Sequence, residues 1–282
     1  MTRRAGAALL ALLSWAGPAS AQTLRPFCAY KQLHGERRLD ARIEFAAGDL
    51  RVLPGDSGQL YRMNLSYDAD RFAPLSRYDR MSGATVLGVE PVGGAGLRIV
   101  SETQLRQAAV VAFSPEADLD LDLALGAVNA DLELGALRMR DLRLKTGASR
   151  TTVRFSSPNP ARCRSALISA GAAEVSVFGL GNSGCDELRL EGGIGKMILS
   201  FDGEWLNTQR AELSLAVGEL VLRLPRGVPV RIKLERLLAH FAPERFIRRG
   251  STYVTPGFDA REPHLDIVLR TAVGSVDVEW TD

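Results

Sequence analysis

The feature that most constrains the fold is a short pattern written repeatedly between Asp118 and Pro225, in which apolar and polar residues alternate on both sides of a glycine. The central residues of these copies, called anchor glycines below, are Gly126, Gly147, Gly171, Gly193, Gly218 and Gly274. The first five follow one another at steps of 21, 24, 22 and 25 residues, and the last step is 56. Such a period is typical of folds built by stacking one structural unit on the next.

Aligning the copies on their anchor glycines gives three columns that are apolar apart from Thr271. Five residues before the glycines lie Leu121, Leu142, Ala166, Leu188, Leu213 and Leu269. Three residues before them lie Leu123, Leu144, Ile168, Leu190, Leu215 and Thr271. Six residues after them lie Leu132, Val153, Val177, Leu199, Leu224 and Trp280. The positions in between are mostly polar, and this period of two predicts strands with one buried face.

The apolar positions change parity at each anchor glycine, since they lie at odd offsets before it and at even offsets after it. One extra residue is therefore accommodated at the glycine, as in a β-bulge or a corner of the strand. A positive φ angle at this position would explain why the residue is a glycine. One copy cannot bury its own apolar face, whereas a stack of copies can. The sequence predicts an all-β, solenoid-like stack of short strands with glycine corners.

An ordinary β-sandwich with evenly spaced strands is the alternative, because regular short strands separated by turns are typical of sandwiches and barrels too. The repeated change of parity at a glycine favours stacking.

Residues 1–21 have the three parts of a signal peptide. Arg3 and Arg4 form the charged start, an apolar stretch follows, and a small-residue motif predicts cleavage between Ala21 and Gln22. The apolar stretch is too short to span a bilayer. We expect an exported protein, periplasmic or extracellular, without an integral membrane segment after cleavage. Loss of two arginines takes the net charge from +2 to about zero, which disfavours binding to nucleic acid.

The mature chain is expected to have two parts. Residues 22–112 form a smaller N-terminal β section, in which Ile43, Phe45, Gly48, Leu50 and Val52 repeat the glycine-centred pattern. Residues 113–282 form the C-terminal stack. Within it, residues 248–263 are interpreted as a loop insertion, residues 266–280 as the closing rung, and the wider stretch 236–263 as a possible cap for one end.

Several segments resemble a known family. The runs LDLDLALGAVNADLEL, LRLKTGASRTTVRFSSPNP and LRLEGGIGKMILSFDGEW, with YVTPGFDAREPHLDIVLRTAVGSVDVEW near the C-terminus, are similar to bacterial toast-rack domains. Those domains are related to adhesin-like proteins and to the C-terminal domain of cell-wall-active antibiotic response proteins. The run IEFAAGDLRVLPGDSGQLYRMNLSYD resembles the domain that often precedes a toast rack. The resemblance implies an exported β-solenoid-like module without a cofactor.

Other motifs give little sign of chemistry. Gly179–Gly184 spells GxGxxG but leads into a strand, so a tight turn is favoured over a phosphate site. Asp118, Asp120 and Asp122 alternate along one strand and are interpreted as its solvated face, with weak cation binding as the alternative. His34, His240 and His264 lie too far apart in sequence to predict a zinc site. We expect no catalytic, cofactor-binding or metal-binding residues.

The cysteines allow a sharper prediction. Cys163 and Cys185 each lie eight residues before an anchor glycine, so stacking would place them on neighbouring strands about 4.8 Å apart. That spacing suits a disulfide, and export would allow its oxidation. Cys28 would be left free or paired with another chain.

The leading functional hypothesis is a non-enzymatic protein of the cell envelope with an adhesin-like binding or scaffold role. Its partner would be a protein or an envelope polymer, and Arg143, Arg189 and Arg223 are candidates for a binding face. One alternative is a component of an envelope-stress sensor that responds to cell-wall antibiotics. The other is a β-helical enzyme acting on polysaccharide, which clustered carboxylates in a groove would favour.

Overall fold

The computed structural model describes residues 24–92, 107–237, 241, 243–258 and 262–281. Its sixteen strands fall into an N-terminal group, a central group and a C-terminal group. The first group comprises β1 (Leu24–Gln32), β2 (Arg38–Pro54), β3 (Gln59–Asp68), β4 (Phe72–Asp79), β5 (Ala84–Pro91) and β6 (Ala108–Phe113). The second comprises β7 (Asp118–Glu133), β8 (Arg138–Thr146), β9 (Arg150–Arg154), β10 (Cys163–Phe178), β11 (Cys185–Ser200) and β12 (Gln209–Pro225). The third comprises β13 (Val230–Leu237), β14 (Ile247–Arg249), β15 (Thr252–Val254) and β16 (Leu265–Thr281).

The repeating unit is a long strand that turns a corner near its middle. We call the part before the corner the first arm and the part after it the second arm. Strands β2, β7, β10, β11, β12 and β16 each contain both arms, while β8 and β9 form the two arms of one unit interrupted by a short turn. Successive units pair in parallel, so every arm lies beside the same arm of its neighbours.

The arms form two branches of one hydrogen-bonded sheet. The first arms run in the order β4, β5, β2, β7, β8, β10, β11, β12, β16, β13, β15, β14. The second arms run in the order β1, β3, β6, β2, β7, β9, β10, β11, β12, β16. This is the all-β, solenoid-like stack that the sequence predicts.

The core lies between the two arms. In β7, Leu119, Leu121, Leu123 and Leu125 are buried before the corner, and Val128, Ala130 and Leu132 are buried after it. The predicted change of parity is therefore confirmed. Side chains of this kind from all the units belong to one continuous apolar cluster, so each unit completes the core of the next.

The predicted alignment of the apolar residues is correct from β7 to β11. Between β11 and β12 the observed register differs from the predicted one by two residues. Leu123, Leu144, Ile168 and Leu190 are successive register partners, and Leu190 then pairs with Leu213 instead of Leu215. The prediction that Leu188 stacks on Leu213 is wrong, since Leu188 pairs with Ala211. An error of two residues preserves parity, so the predicted inward faces were still correct.

The offset arises because β11 carries two corner glycines. Gly193 lies beside Gly171, whereas Gly195 is the register partner of Gly218, which in turn pairs with Gly274. The anchor glycines thus form two columns, and β11 belongs to both.

The two columns require glycine for different physical reasons. Gly195, Gly218 and Gly274 each have a φ angle of 143°, a conformation that L side chains rarely adopt. The prediction of a positive φ is wrong for Gly126, Gly147, Gly171 and Gly193. Close packing explains Gly126 and Gly193, where a Cβ atom would lie 2.1 Å from the carbonyl oxygen of Ala46 and 2.7 Å from that of Gly171, respectively. A Cβ atom on Gly147 or Gly171 would make only a tight contact, at 3.2 or 3.1 Å.

The C-terminal segment closes the stack differently from the prediction. Strand β13 pairs in parallel with the first arm of β16, on the side away from β12, and β15 and β14 follow as antiparallel strands. Residues 248–263 are therefore not a plain loop insertion, since they contain β15 and part of β14. The boundary at residues 112 and 113 stays a prediction, and the sheet runs across it because β2 pairs with β7.

Cys163 and Cys185 are register partners at the starts of β10 and β11. Both are buried, and their sulfur atoms are joined as a disulfide in the structure. Cys28 lies exposed on β1 with a free thiol. The predicted cleavage site at Ala21 and Gln22, with the whole segment 1–21, lies outside the described residues.

Substitution of a corner glycine should be severely destabilising. A Cβ atom on Gly218 would lie 1.8 Å from the carbonyl oxygen of Gly195, in addition to the unfavourable φ angle. We expect Gly218→Ala to lower the free energy of unfolding by about 3 kcal/mol or more, as measured by urea denaturation. Gly227→Ala is the control, because a Cβ atom there meets nothing within 4 Å. Equal stability of the two variants would contradict the corner geometry.

The disulfide can be tested on protein purified without reductant. Mass spectrometry of its peptides should find Cys163 linked to Cys185, and only Cys28 should react with an alkylating agent. The Cys163→Ser/Cys185→Ser variant should lose about 3 kcal/mol of stability, because the bridge closes a loop with a sequence separation of 22 residues. Alkylation of all three cysteines in the native protein would rule the bridge out.

Candidate functional site

A long groove lies on the outer face of the first arms. It has a volume of about 1140 Å³ and crosses β2, β7, β8, β10, β11 and β12, with β5 along one side. Its walls are outward-facing side chains of strands whose opposite faces are buried in the core. The groove is therefore a direct product of the stacking, since each unit contributes the same positions to it.

Two columns of register partners make up most of its floor. One column contains Asp40, Asp120, Asp141, Ser165, Glu187 and Arg210. The other contains Arg42, Asp122, Arg143, Leu167, Arg189 and Glu212. The first column is mainly acidic and the second alternates in sign, so the groove carries both charges in a regular array.

Most of these charges are neutralised by a neighbour. Arg38 binds Asp120 at 2.5 Å, and Arg164 binds Asp141. Further along, Arg189 binds Glu212 at 3.2 Å. Opposite charges on adjacent strands stabilise the sheet by about 0.2–1 kcal/mol per pair. The pairs also hold the arginine side chains extended over the sheet.

Asp120 and Asp141 are register partners in the groove's first column, and each carboxyl group affects the ionisation of the other. Burial raises the pKa of Asp120, and the Asp141 carboxylate adds to this effect while Arg38 opposes it. Burial would raise the pKa of Asp141 too, but hydrogen bonds from Arg164 and Ser165 hold it below its usual value. The pair is therefore suited to sharing one proton.

This geometry bears on the polysaccharide-enzyme hypothesis. Glycoside hydrolases keep their two carboxyl groups about 5 Å or more apart, so that a sugar or a water fits between them. Asp120 and Asp141 are register partners on adjacent strands, and burial together with the charge of the Asp141 carboxylate raises the pKa of Asp120, which is the behaviour of a proton-sharing pair.

The aspartates predicted to form a solvated strand face lie on the outer face of β7, and each is paired with an arginine. Asp118 accepts hydrogen bonds from Arg138 at 2.8 Å and Arg140 at 3.2 Å. Burial opposes ionisation of Asp118, but these two arginines outweigh it and lower its pKa. Within the described residues, no group of three or more His, Cys, Asp or Glu side chains could hold a metal ion.

The GxGxxG sequence forms the turn that was predicted. Leu180–Ser183 is a single turn of 3-10 helix between β10 and β11, flanked by Gly179 and Gly184 in the left-handed region. Asp202 accepts a hydrogen bond from the Gly179 N–H at 3.1 Å. No α-helix follows the turn, so the context of a dinucleotide site is missing.

The histidines are not brought together. His34 lies between β1 and β2, and His264 directly precedes β16 near the other end of the sheet order. His264 contacts Asp266 at 3.7 Å and the ring of Phe258. His240 lies outside the described residues.

Only two of the three arginines proposed for a binding face share that face. Arg143 and Arg189 line the groove. Arg223 lies on the outer face of the second arms, where it binds Glu279 at 2.8 Å. The sequence pattern showed that all three point outward, but it did not show on which side of the corner each would lie.

The comparison with protein families gives a match over residues 28–178, just over half of the chain, to the family model described as the N-terminal domain of toast_rack, DUF2154. The chain belongs to this family. The toast_rack match begins in β1 and ends in β10, so it includes the smaller N-terminal strands and the first units of the stack.

Solved structures similar to this toast_rack protein include two bacterial proteins. One is described as "a putative cell adhesion protein" from Clostridium sporogenes, with 15% identity, coverage of 92% of this chain and 100% of that chain, and a TM-score of 0.46. The other is described as "a putative adhesin" from Bacteroides fragilis, with 7% identity, coverage of 92% and 98%, and a TM-score of 0.38. No curated protein matches this sequence.

Within the described residues, no helix is long and apolar enough to cross a bilayer.

The shared proton predicts a pH-dependent effect of Asp120. Because its folded-state pKa is raised, its contribution to stability is greatest below the unfolded-state value of about 3.9 and is lost as the pH rises. Asp120→Asn should therefore be as stable as the wild type, or up to about 1 kcal/mol more stable, at pH 7. This advantage should disappear at pH 3. Urea denaturation of the variant and the wild type at both pH values measures the difference. A loss of stability at pH 7 that vanishes at pH 3 would contradict the raised pKa of Asp120.

Proposed function

We propose that this toast_rack protein is a non-enzymatic, exported protein of the cell envelope that binds a partner protein or an envelope polymer along the groove of its first arms. The observation that carries the proposal is the groove itself, which repeats the same outward positions over six units without a break. A surface built from equivalent positions suits a long or repetitive partner, since one contact can recur on each unit.

The charges in the groove support binding and not catalysis. The arginines are held over the sheet by acidic partners, and each guanidinium retains donors that can reach a ligand. The acidic pair Asp120 and Asp141 suits the sharing of one proton, since each carboxyl group affects the ionisation of the other. A mixed and largely neutralised charge array also disfavours nucleic acid, whose binding depends on an excess of cations.

The proposal of export rests on the signal-like segment 1–21, which is independent of the fold. The envelope-stress sensor is the competing role within the same compartment. The two roles predict different results in one experiment. For a sensor, deletion of the gene would change sensitivity to cell-wall antibiotics even where binding to the envelope is unimpaired.

The test is a sedimentation assay with purified mature protein and isolated envelope polymer. Arg143→Ala/Arg189→Ala removes two groove arginines, and Arg51→Ala/Arg62→Ala removes two exposed arginines elsewhere. The groove variant should bind about two- to thirtyfold more weakly, because each of the two exposed charge contacts contributes about 0.2–1 kcal/mol. The control variant should bind like the wild type. Equal binding of both variants, or release of soluble sugar fragments by the wild type, would contradict the proposal.

A further inference from the structure

The second arms end at an open strand edge. Strand β12 pairs with β16 along its whole length, and β13 covers the other side of β16 only as far as Thr271. From Val273 to Thr281, no strand of the described chain pairs with that outer side. An edge of this kind presents unpaired backbone N–H and C=O groups to whatever approaches it.

The backbone groups on the open side can be assigned. The Thr281 carbonyl accepts a hydrogen bond from the Arg226 N–H, so the Thr281 backbone points toward β12. Since backbone direction alternates along a strand, the N–H and C=O groups of Val276, Val278 and Trp280 point to the open side. The side chains of these same residues face the core.

The other three sheet edges carry features that block strand addition. Strand β1 contains Pro26 and strand β4 contains Pro74, and proline cannot donate to a further strand. Strand β14 is only three residues long. The second arm of β16 is longer and contains no proline. It is the one edge of the described sheet left available for pairing.

The outward side chains on this edge are acidic. Asp277 and Glu279 are both exposed, and Glu279 is bound by Arg223. Asp277 has no ion-pair or hydrogen-bond partner among the described residues, and its register partner on β12 is the apolar Val221. A second copy of this strand would place like charges side by side, which disfavours self-pairing.

We propose that the second arm of β16 binds an extended basic segment of a partner protein by strand addition. Alternate residues of the segment would be lysine or arginine beside Asp277 and Glu279, and apolar beside Val276 and Val278, while the ring of Trp280 already packs against Phe246 and Arg245. Main-chain hydrogen bonds supply affinity in this mode, and the alternating side chains supply specificity. This site is separate from the groove of the first arms, so either can fail without the other.

The first test uses a synthetic peptide in which valine and lysine alternate over the length of Val273–Thr281. Isothermal titration calorimetry with the mature protein should show saturable binding. In hydrogen exchange, the amides of Val276, Val278 and Trp280 should become protected. A matched peptide with alternate backbone nitrogens methylated should not bind, because it cannot donate the required hydrogen bonds. Absence of saturable binding, or equal binding of the methylated peptide, would overturn the proposal.

The second test reverses the charge. Asp277→Lys should weaken binding of the lysine peptide by about fivefold and allow binding of the corresponding glutamate peptide. Glu116→Lys is the control, since it makes the same charge change at an exposed loop position outside the second arms. Circular dichroism would establish that both variants fold. If the control weakens binding as much as Asp277→Lys, the interaction is nonspecific attraction and the proposed site is wrong.

Discussion

The structure depends on how closely neighbouring backbones approach at the corners. In each unit the chain must turn while staying hydrogen-bonded in parallel to its neighbours, and at several corners this leaves no space for a side chain. At Gly274, as at Gly218, a Cβ atom would lie 1.8 Å from the carbonyl oxygen of the preceding corner glycine. Because each corner touches the next, the requirement passes from unit to unit, and a substitution at one corner also disturbs its neighbour.

The corner also determines where the charged side chains lie. Parity changes there, so both arms direct apolar side chains inward and charged side chains outward. Charges from successive first arms then meet in register and form the array of arginines and carboxylates in the groove. The same regular stacking leaves the last strands at the ends of the sheet without a hydrogen-bonded strand on one side. Short or proline-containing strands close three of these edges, and acidic side chains mark the fourth.

Much of the fold could be predicted from local patterns, because the inward face of a strand depends only on the period of two. The buried positions of β7 and the extension of the pattern into β2 followed directly from Leu123 and Ile43, which are register partners. The register beyond β11 could not be predicted in the same way. Gly193 and Gly195 are both corner glycines, and no local rule decides which of them aligns with Gly218. The β13–β15 closure was missed because the pairing of β13 with β16 joins segments separated by a long connection.

The contacts in the candidate site were harder to predict from the sequence than the fold was. Asp120 and Asp141 are 21 positions apart and become neighbours only through the register of β7 and β8, which itself contains an irregularity after Leu119. The arginine pairs have the same origin, since each joins residues from different units. Periodicity indicated that these side chains point outward, and the register decides which of them meet.

In-register parallel stacking across the glycine offset can be tested most directly by cysteine cross-linking in a Cys28→Ser background. Arg189 and Glu212 are register partners, whereas alignment on the anchor glycines would pair Arg189 with Ser214. Register partners lie about 4.8 Å apart and can be bridged, while a displacement of two residues exceeds the 7 Å that a disulfide tolerates. The Arg189→Cys/Glu212→Cys protein should therefore form a second disulfide under mild oxidation, and the Arg189→Cys/Ser214→Cys protein should not. Bridging of the second pair in place of the first would contradict the account.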